Sequence, residues 1–368
     1  MSGVKLDTLA EAMLGEAVLV DDSLTIDLPG ANIRIRSNSA ELLEGLKDYF
    51  AHVLTDSGSD SDMEVIAVER PSLELGLGMG LEFRDWTREP GKKGRKDSIH
   101  EFPGGRLVHK VRTGMLFLQS QKLRLAAGPC LANDNQVINF INAQYMNVLQ
   151  NSNWLICHAA ALVQKESALA IAGLSGGGKS TLMLHMLEQP STAFVSNDRL
   201  FIKHQAGRMM ARGIPKMPRI NPGTIVHNQR LKPLIPTERR AELLALPQAE
   251  LWSLEEKYDA PVEALYGKGR VQHEAPLSGL LILNWQLGGS EPTQVQQVDI
   301  KKRSELLAAV MKSPGPFYQN SQGEFLTNGH EPKPDQYSEL LAQVPVYEAT
   351  GSIDFQSAAN QIRQLLNK

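Results

Sequence analysis

Period-2 and period-3.6 stretches alternate along the 368-residue chain. Residues 24–36 (LTIDLPGANIRIR) switch between apolar and polar positions on either side of Pro29-Gly30, which predicts two short strands and a tight turn. Ser39 then caps an amphipathic helix, AELLEGLKDYFAHVL. TDSGSDSD is an acidic connector, MEVIAVERP a strand, and REPGKKGRKDS (residues 88–98) an exposed basic loop. GGRLVHKVRTGMLFLQSQKLRLAAG reads as a run of strands. Residues 134–150 (DNQVINFINAQYMNVLQ) form an amphipathic helix, with Asn133 or Asp134 as its cap. No internal repeat stands out. Residues 1–150 are therefore expected to be a smaller N-terminal α/β domain with no evident chemistry.

From residue 151 the texture changes. WLICHAAALV and SALAIA are buried-type strands, a glycine loop follows, and the helix STLMLHMLEQ stops before Pro190. TAFVSND is a strand with a polar end, and RLFIK and RMMARGIP continue in β-like fashion. Residues 215–237 are Pro-rich and loop-like. ERRAELLALPQAELWSLEEKY is helical with a break at Pro247, LSGLLILNW and VPVYEAT are strands, and KRSELLAAVMK and FQSAANQIRQLLNK are helices. Residues 151–368 read as a second, α/β domain.

The bulk numbers narrow the class. Apolar residues make up 42% and charged ones 21%, as in ordinary globular chains, and the length allows two domains. A net charge of -3 supplies no global field towards nucleic acid or an anionic membrane. Cys130 and Cys157 form neither a CxxC nor a zinc spacing, which points to a reducing, cytoplasmic setting. The first 22 residues are acidic and lack the basic start of a signal peptide, and no apolar run approaches the ~20 residues of a membrane span.

The chemistry concentrates in IAGLSGGGKSTLML, residues 171–184. Gly173 and Gly178 bracket a loop holding Ser175, Gly176 and Gly177, and Lys179, Ser180 and Thr181 follow. Glycines let backbone N–H groups approach phosphate oxygens, the lysine reaches the β- and γ-phosphates, and the Ser180 hydroxyl takes Mg²⁺. The helix N-terminus adds partial positive charge. A bare tight turn is the competing reading. The preceding strand and following helix favour phosphate binding. A transporter-type ATPase would need a second signature and an apolar strand ending in Asp-Glu. LSGL at 277–280 matches poorly, and LLILNW ends in Asn284 and Trp285.

Further residues fall into a pattern around this loop. His158 lies fifteen residues before Gly173, and the strand TAFVSND ends at Asp198, nineteen residues after Lys179. With MARGIPKMPR, this resembles the HPr kinase/phosphorylase family, whose P-loop domain is similar to that of phosphoenolpyruvate carboxykinases. Motif support covers about residues 150–235. His158 matches the family's histidine before the loop, Asn197-Asp198 its Asp-Asp pair, and Arg212-Gly213 part of its ExRGxG signature. Asn197 and Met210 stand where the family has acids, so the chain looks closest to an HPr-kinase-related branch.

The resemblance implies a P-loop kinase fold of the HPr kinase and phosphoenolpyruvate carboxykinase type, ATP and Mg²⁺ as cofactors, and a homo-oligomer. It implies Mg²⁺ on Ser180 and Asp198, with Asp198, His158 and Lys179 catalytic. On the residues alone, His158 is equally a core histidine, and Asp198 a cap for RLFIK or a partner of Arg199. Residues 212–232 carry Arg212, Lys216, Arg219, Arg230 and Lys232 and no acid. They read either as a solvated, mobile loop or as an anion-reading lid over the acceptor. The stretch lacks interleaved aromatics, which excludes single-stranded nucleic acid as partner. The expected activity is transfer of a phosphoryl group to a hydroxyl of a protein serine or a small metabolite. The rival is a nucleotide-binding regulator without transfer.

Overall fold

The computed structural model describes residues 4–55, 60–74, 77–88, 94–174, 176–254, 256–286 and 288–366. The chain divides into two compact units, Met1–Asn153 with Ser313–Glu331, and Trp154–Lys312 with Pro332–Lys368. Residues 313–331 thus pack with the N-terminal unit, which nothing in their sequence announces.

The N-terminal unit is built on nine strands: β1 (Leu24–Leu28), β2 (Ala31–Ser37), β3 (Leu54–Thr55), β4 (Met63–Glu69), β5 (Arg84–Asp85), β6 (Asp97–Phe102), β7 (Gly105–Lys110), β8 (Leu116–Ser120) and β9 (Arg124–Gly128). Their order is β3-β1-β2-β4-β9-β8-β7-β6-β5. The pairs β2–β4 and β4–β9 are parallel and the others antiparallel. The helices are α1 (Leu6–Leu14), α2 (Ala40–Phe50) and α3 (Asp134–Asn151). The Ser39 hydroxyl accepts from the Leu42 N–H at 3.2 Å and starts α2 as the sequence predicts. Asn133 does not cap α3: its amide donates instead to the Pro129 carbonyl at 2.9 Å.

Arg106 of β7 is fully buried and stitches residues 313–331 to this sheet. It donates to the carbonyls of Pro316 (2.9 Å) and Leu326 (2.8 Å) and to Glu101, and its guanidinium lies 4.5 Å from the Phe325 ring centre.

In the C-terminal unit the strands are β10 (Leu155–Cys157), β11 (Ala159–Gln164), β12 (Ser167–Gly173), β13 (Thr192–Ser196), β14 (Leu200–Gln205), β15 (Arg208–Arg212), β16 (Arg219–Ile220), β17 (Tyr258–Asp259), β18 (Glu274–Leu283), β19 (Gln294–Val298) and β20 (Val346–Thr350). The helices are α4 (Lys179–Leu187), α5 (Pro222–Ile225), α6 (Thr237–Leu244), α7 (Gln248–Ser253), α8 (Val262–Tyr266), α9 (Pro334–Leu341) and α10 (Phe355–Leu366). The main sheet runs β10-β14-β15-β18-β12-β11-β13, and β20 joins β18 and β19. The pairs β12–β18 and β18–β20 are parallel.

Period-2 alternation sends side chains of these strands into two cores. Leu169 and Ile171 pack with α4 and α10, while Ala168, Ala170 and Ala172 face the opposite core with Leu306, Tyr337 and Leu341. The Pro-rich stretch, read as loop-like with a solvated, mobile loop as one alternative, is a packed segment rather than a solvated one. Ile220, Ile225, Val226, Leu231 and Ile235 are buried in the core beside α4. KRSELLAAVMK, expected as an α-helix, holds a 3₁₀ helix over Ser304–Ala309. Among the described residues no helix is long and apolar enough to cross a membrane.

Candidate functional site

Strand register brings the separate motifs together. β11 runs antiparallel to both neighbours, with Ala159 opposite Ala172 of β12 and Ala161 opposite Ser196 of β13. The residue before β11, the loop after β12 and the residues after β13 therefore share one end of the sheet. There the His158 Nε2 lies 3.1 Å from the Asp198 Oδ1. The His158 backbone N–H donates to the Val310 carbonyl at 2.7 Å, so the histidine is fixed by main chain as well.

The glycine loop follows β12 directly. Gly176 and Gly178 have φ of +81° and +85°, left-handed values that a side chain disfavours. The Gly177 N–H closes a turn onto the Leu174 carbonyl at 2.9 Å. A Cβ at Gly178 would also stand 2.9 Å from the Phe355 ring. Ser175 lies outside the described residues. The Lys179 Nζ, buried at 9% exposure, donates to the Gly173 carbonyl at 2.8 Å. Burial, with Lys312 and Lys257 nearby, lowers its pKa to about 8 against the opposing pull of Asp198. Ser180 is half-buried in the first turn of α4. The Thr181 hydroxyl pairs with that of Thr224 in α5 at 2.8 Å, tying α4 to the Pro-rich segment. At the other end of α4, Arg270 donates to the carbonyls of Leu187, Gln189 and Thr192, a cation set on the helix's negative pole.

Asp198 sits among cations. Burial opposes its ionisation, but the His158 hydrogen bond and the charges of Lys312 and Arg199 outweigh that and hold the carboxyl well below the usual carboxylate range. Lys216 belongs to the same group: burial and Arg199 push it down to about 7, while Asp198 pulls the other way. Next to Asp198, the buried Asn197 Oδ1 has no hydrogen-bond partner among the described residues. Ser180, Asp198 and this amide oxygen are the kinds of donor a hard divalent cation takes. No group of three or more His, Cys, Asp or Glu able to hold a metal occurs among the described residues. A cation here would draw its remaining ligands from phosphate oxygens and water.

The cationic stretch divides. Arg212 pairs with Glu274 and lies 4.4 Å over the Trp154 ring. Arg219 meets Asp259 at 3.1 Å, and Arg230 meets Glu188 at 2.8 Å. The stretch itself carries no acid, but acids from distant segments neutralise these arginines. Of the three acceptor candidates Arg212, Lys216 and Arg219, Lys216 feels the charge of Asp198. Gly213 is required by close approach, since a Cβ there would come within 1.9 Å of the Val195 carbonyl oxygen. Met210 is buried within β15.

Sequence reading missed Lys312, Trp285 and Phe355 at this site. It named Arg199 as a partner of Asp198, and the Arg199 Nε lies 3.8 Å from the Asp198 Oδ2. Lys312 comes within reach only because residues 310–311 pair with residues 157–158.

No family model and no curated protein matches the chain. Among solved structures it is similar to the HPr(Ser) kinase/phosphatase from Coxiella burnetii, with 12% sequence identity and a TM-score of 0.30. That match covers 57% of this chain and 88% of the other.

Proposed function

We propose that the C-terminal unit binds ATP with Mg²⁺ and transfers the γ-phosphoryl group to a hydroxyl of a protein serine or a small metabolite. The observation that carries this reading is the buried Lys179 ammonium, folded into a loop of left-handed glycines at a helix N-terminus, on the sheet end that holds the His158–Asp198 pair. To meet a phosphate, Lys179 exchanges the Gly173 carbonyl for a stronger, charged acceptor. Mg²⁺ would supply neutralising charge for the phosphates, and Ser180 and Asp198 are the residues that would hold it, with Asn197 beside them. Lys216 and Arg199 attract the anionic groups.

In the transfer step the bond between the γ-phosphorus and the bridging oxygen breaks and a bond from the acceptor oxygen forms. ADP leaves, and the hydroxyl proton passes to Asp198. Phosphoryl transfer passes through a loose transition state, so positioning matters more than a strong base. That suits Asp198, whose depressed pKa makes it a weak proton acceptor at neutral pH. The same depression, with Met210 and Asn197 in acid positions, favours a second reading, a nucleotide-binding regulator without transfer.

Radiolabelled ATP with Mg²⁺ in a lysate of the source cells separates them. A labelled protein band or a labelled small molecule supports transfer and names the acceptor class. Tight binding with no labelled product sinks the kinase and leaves the regulator.

A further inference from the structure

The phosphate loop is gripped from outside by two aromatic rings. Trp285 follows β18, the parallel neighbour of β12, with Gly173 level with Leu283. Its indole N–H donates to the Gly177 carbonyl at 2.9 Å. Phe355, the first residue of α10, meets Trp285 edge to face at 5.3 Å between ring centres and 83° between planes. Gly178 lies against both rings, so close that a Cβ would be 2.9 Å from Phe355 and 3.6 Å from Trp285. Each ring is anchored on its far side. Both pack on the core shared by α4 and α10, and α10 starts at an Asp354 cap whose carboxylate accepts from Ser357 N–H at 2.9 Å. The Gln361 amide pins α10 to the end of the sheet through Val295 N–H and the Thr293 carbonyl, both at 2.8 Å.

We propose that Trp285 and Phe355 are positioning residues that hold the phosphate loop in its anion-ready shape, making α10 part of the nucleotide site. Holding the Gly177 carbonyl outward fixes the orientation of the Gly177–Gly178 peptide unit. The Gly178 N–H is then committed before any ligand arrives. A loop ordered in advance saves the ordering cost on binding. The consequence for nucleotide affinity rests on the ATP reading above, but the brace does not.

Hydrogen exchange on the ligand-free full chain tests the brace directly. Trp285→Phe keeps an aromatic ring and removes the donor. Amides of the loop should then exchange about tenfold faster, while β12 and β18 exchange as before. Unchanged loop exchange overturns the brace. Should that variant not fold, Phe355→Leu makes the same demand through the other ring. Calorimetry adds a second readout. With the brace acting through loop shape, Trp285→Phe weakens ATP and inorganic triphosphate by the same factor. A loss seen with ATP alone would make the rings a platform for the base and overturn the proposal. Faster loop exchange in a protein whose wild type binds neither ligand upholds the brace and refutes the ATP reading.

Discussion

Arg106 in the N-terminal unit and Lys179 in the C-terminal unit are both cations withdrawn from water, at 0% and 9% exposure. Around Arg106 the fold supplies two carbonyls, a carboxylate and aromatic faces. Burial lowers its pKa, yet a guanidinium keeps its proton, so the charge must be met by fixed partners. The Lys179 ammonium donates to a neutral carbonyl, and its pKa has come down to about 8. A lysine can yield its proton and regain it when an anion arrives. The first arrangement is architecture. The second is the arrangement expected of the proposed anion site, where a ligand would bring the counter-charge.

The sharpest way to break this contrast is Lys179→Ala. Loss of a buried cation from an anion site should cost about 2–5 kcal/mol of ATP affinity by calorimetry. Unchanged affinity would make Lys179 as architectural as Arg106. Conversely, Arg106→Met should leave the Pro316 and Leu326 carbonyls unmet and lower the stability of the N-terminal unit by about 2–4 kcal/mol in urea unfolding. It should also open residues 313–331 to proteolysis. Asp198→Asn keeps size and removes charge. It should bind ATP but transfer at least ~100-fold more slowly at saturating ATP, and wild-type turnover would remove Asp198 from the chemistry.

Titration sharpens the contrast further. Lys179 and Lys216 bind their protons less tightly folded, at about 8 and about 7, than at the ordinary 10.5. Between those pH values the unfolded chain holds more protons, so these residues make stability rise with pH. A bound anion raises the folded pKa. ATP binding at pH 8 should therefore take up on the order of half a proton at Lys179, measurable by calorimetry in buffers of different ionisation heat. Release of protons instead would contradict a lysine–phosphate contact. The smallest effect is expected from Arg219→Ala. Its charge is already shared with Asp259, so ATP affinity should stay within ~1 kcal/mol of wild type while transfer falls a few-fold.

What the sequence could reveal depended on how local the determinant was. The loop was legible because glycine spacing and the following helix are contiguous. Ser39 and the strand pair around Pro29-Gly30 were legible for the same reason. The meeting of His158 with Asp198 came through the family resemblance, since forty residues separate them and only the β11 registers explain it. The fate of the arginines was not legible: Arg212 finds Glu274 and Arg219 finds Asp259 across long stretches of chain. The N-terminal acidic segment hid α1, although Leu9, Ala10 and Met13 have helical spacing and are buried. KRSELLAAVMK failed as an α-helix where Arg303 is drawn to the buried Glu348 at 2.7 and 2.9 Å.

The lack of room beside Gly213, where a Cβ would come within 1.9 Å of the Val195 carbonyl oxygen, limits what position 213 can hold. β13 ends one residue after Val195, and Asn197 and Asp198 follow. Any side chain at 213 has to shove that backbone aside and carry the carboxylate with it. In a saturation library, position 213 should thus tolerate no residue but glycine, although it touches no reacting atom. If Asp198 carries the proposed transfer, selection for that activity would score position 213 as strictly as Asp198. A survey of tolerated substitutions would then list as catalytic a residue whose whole contribution is the space it does not fill.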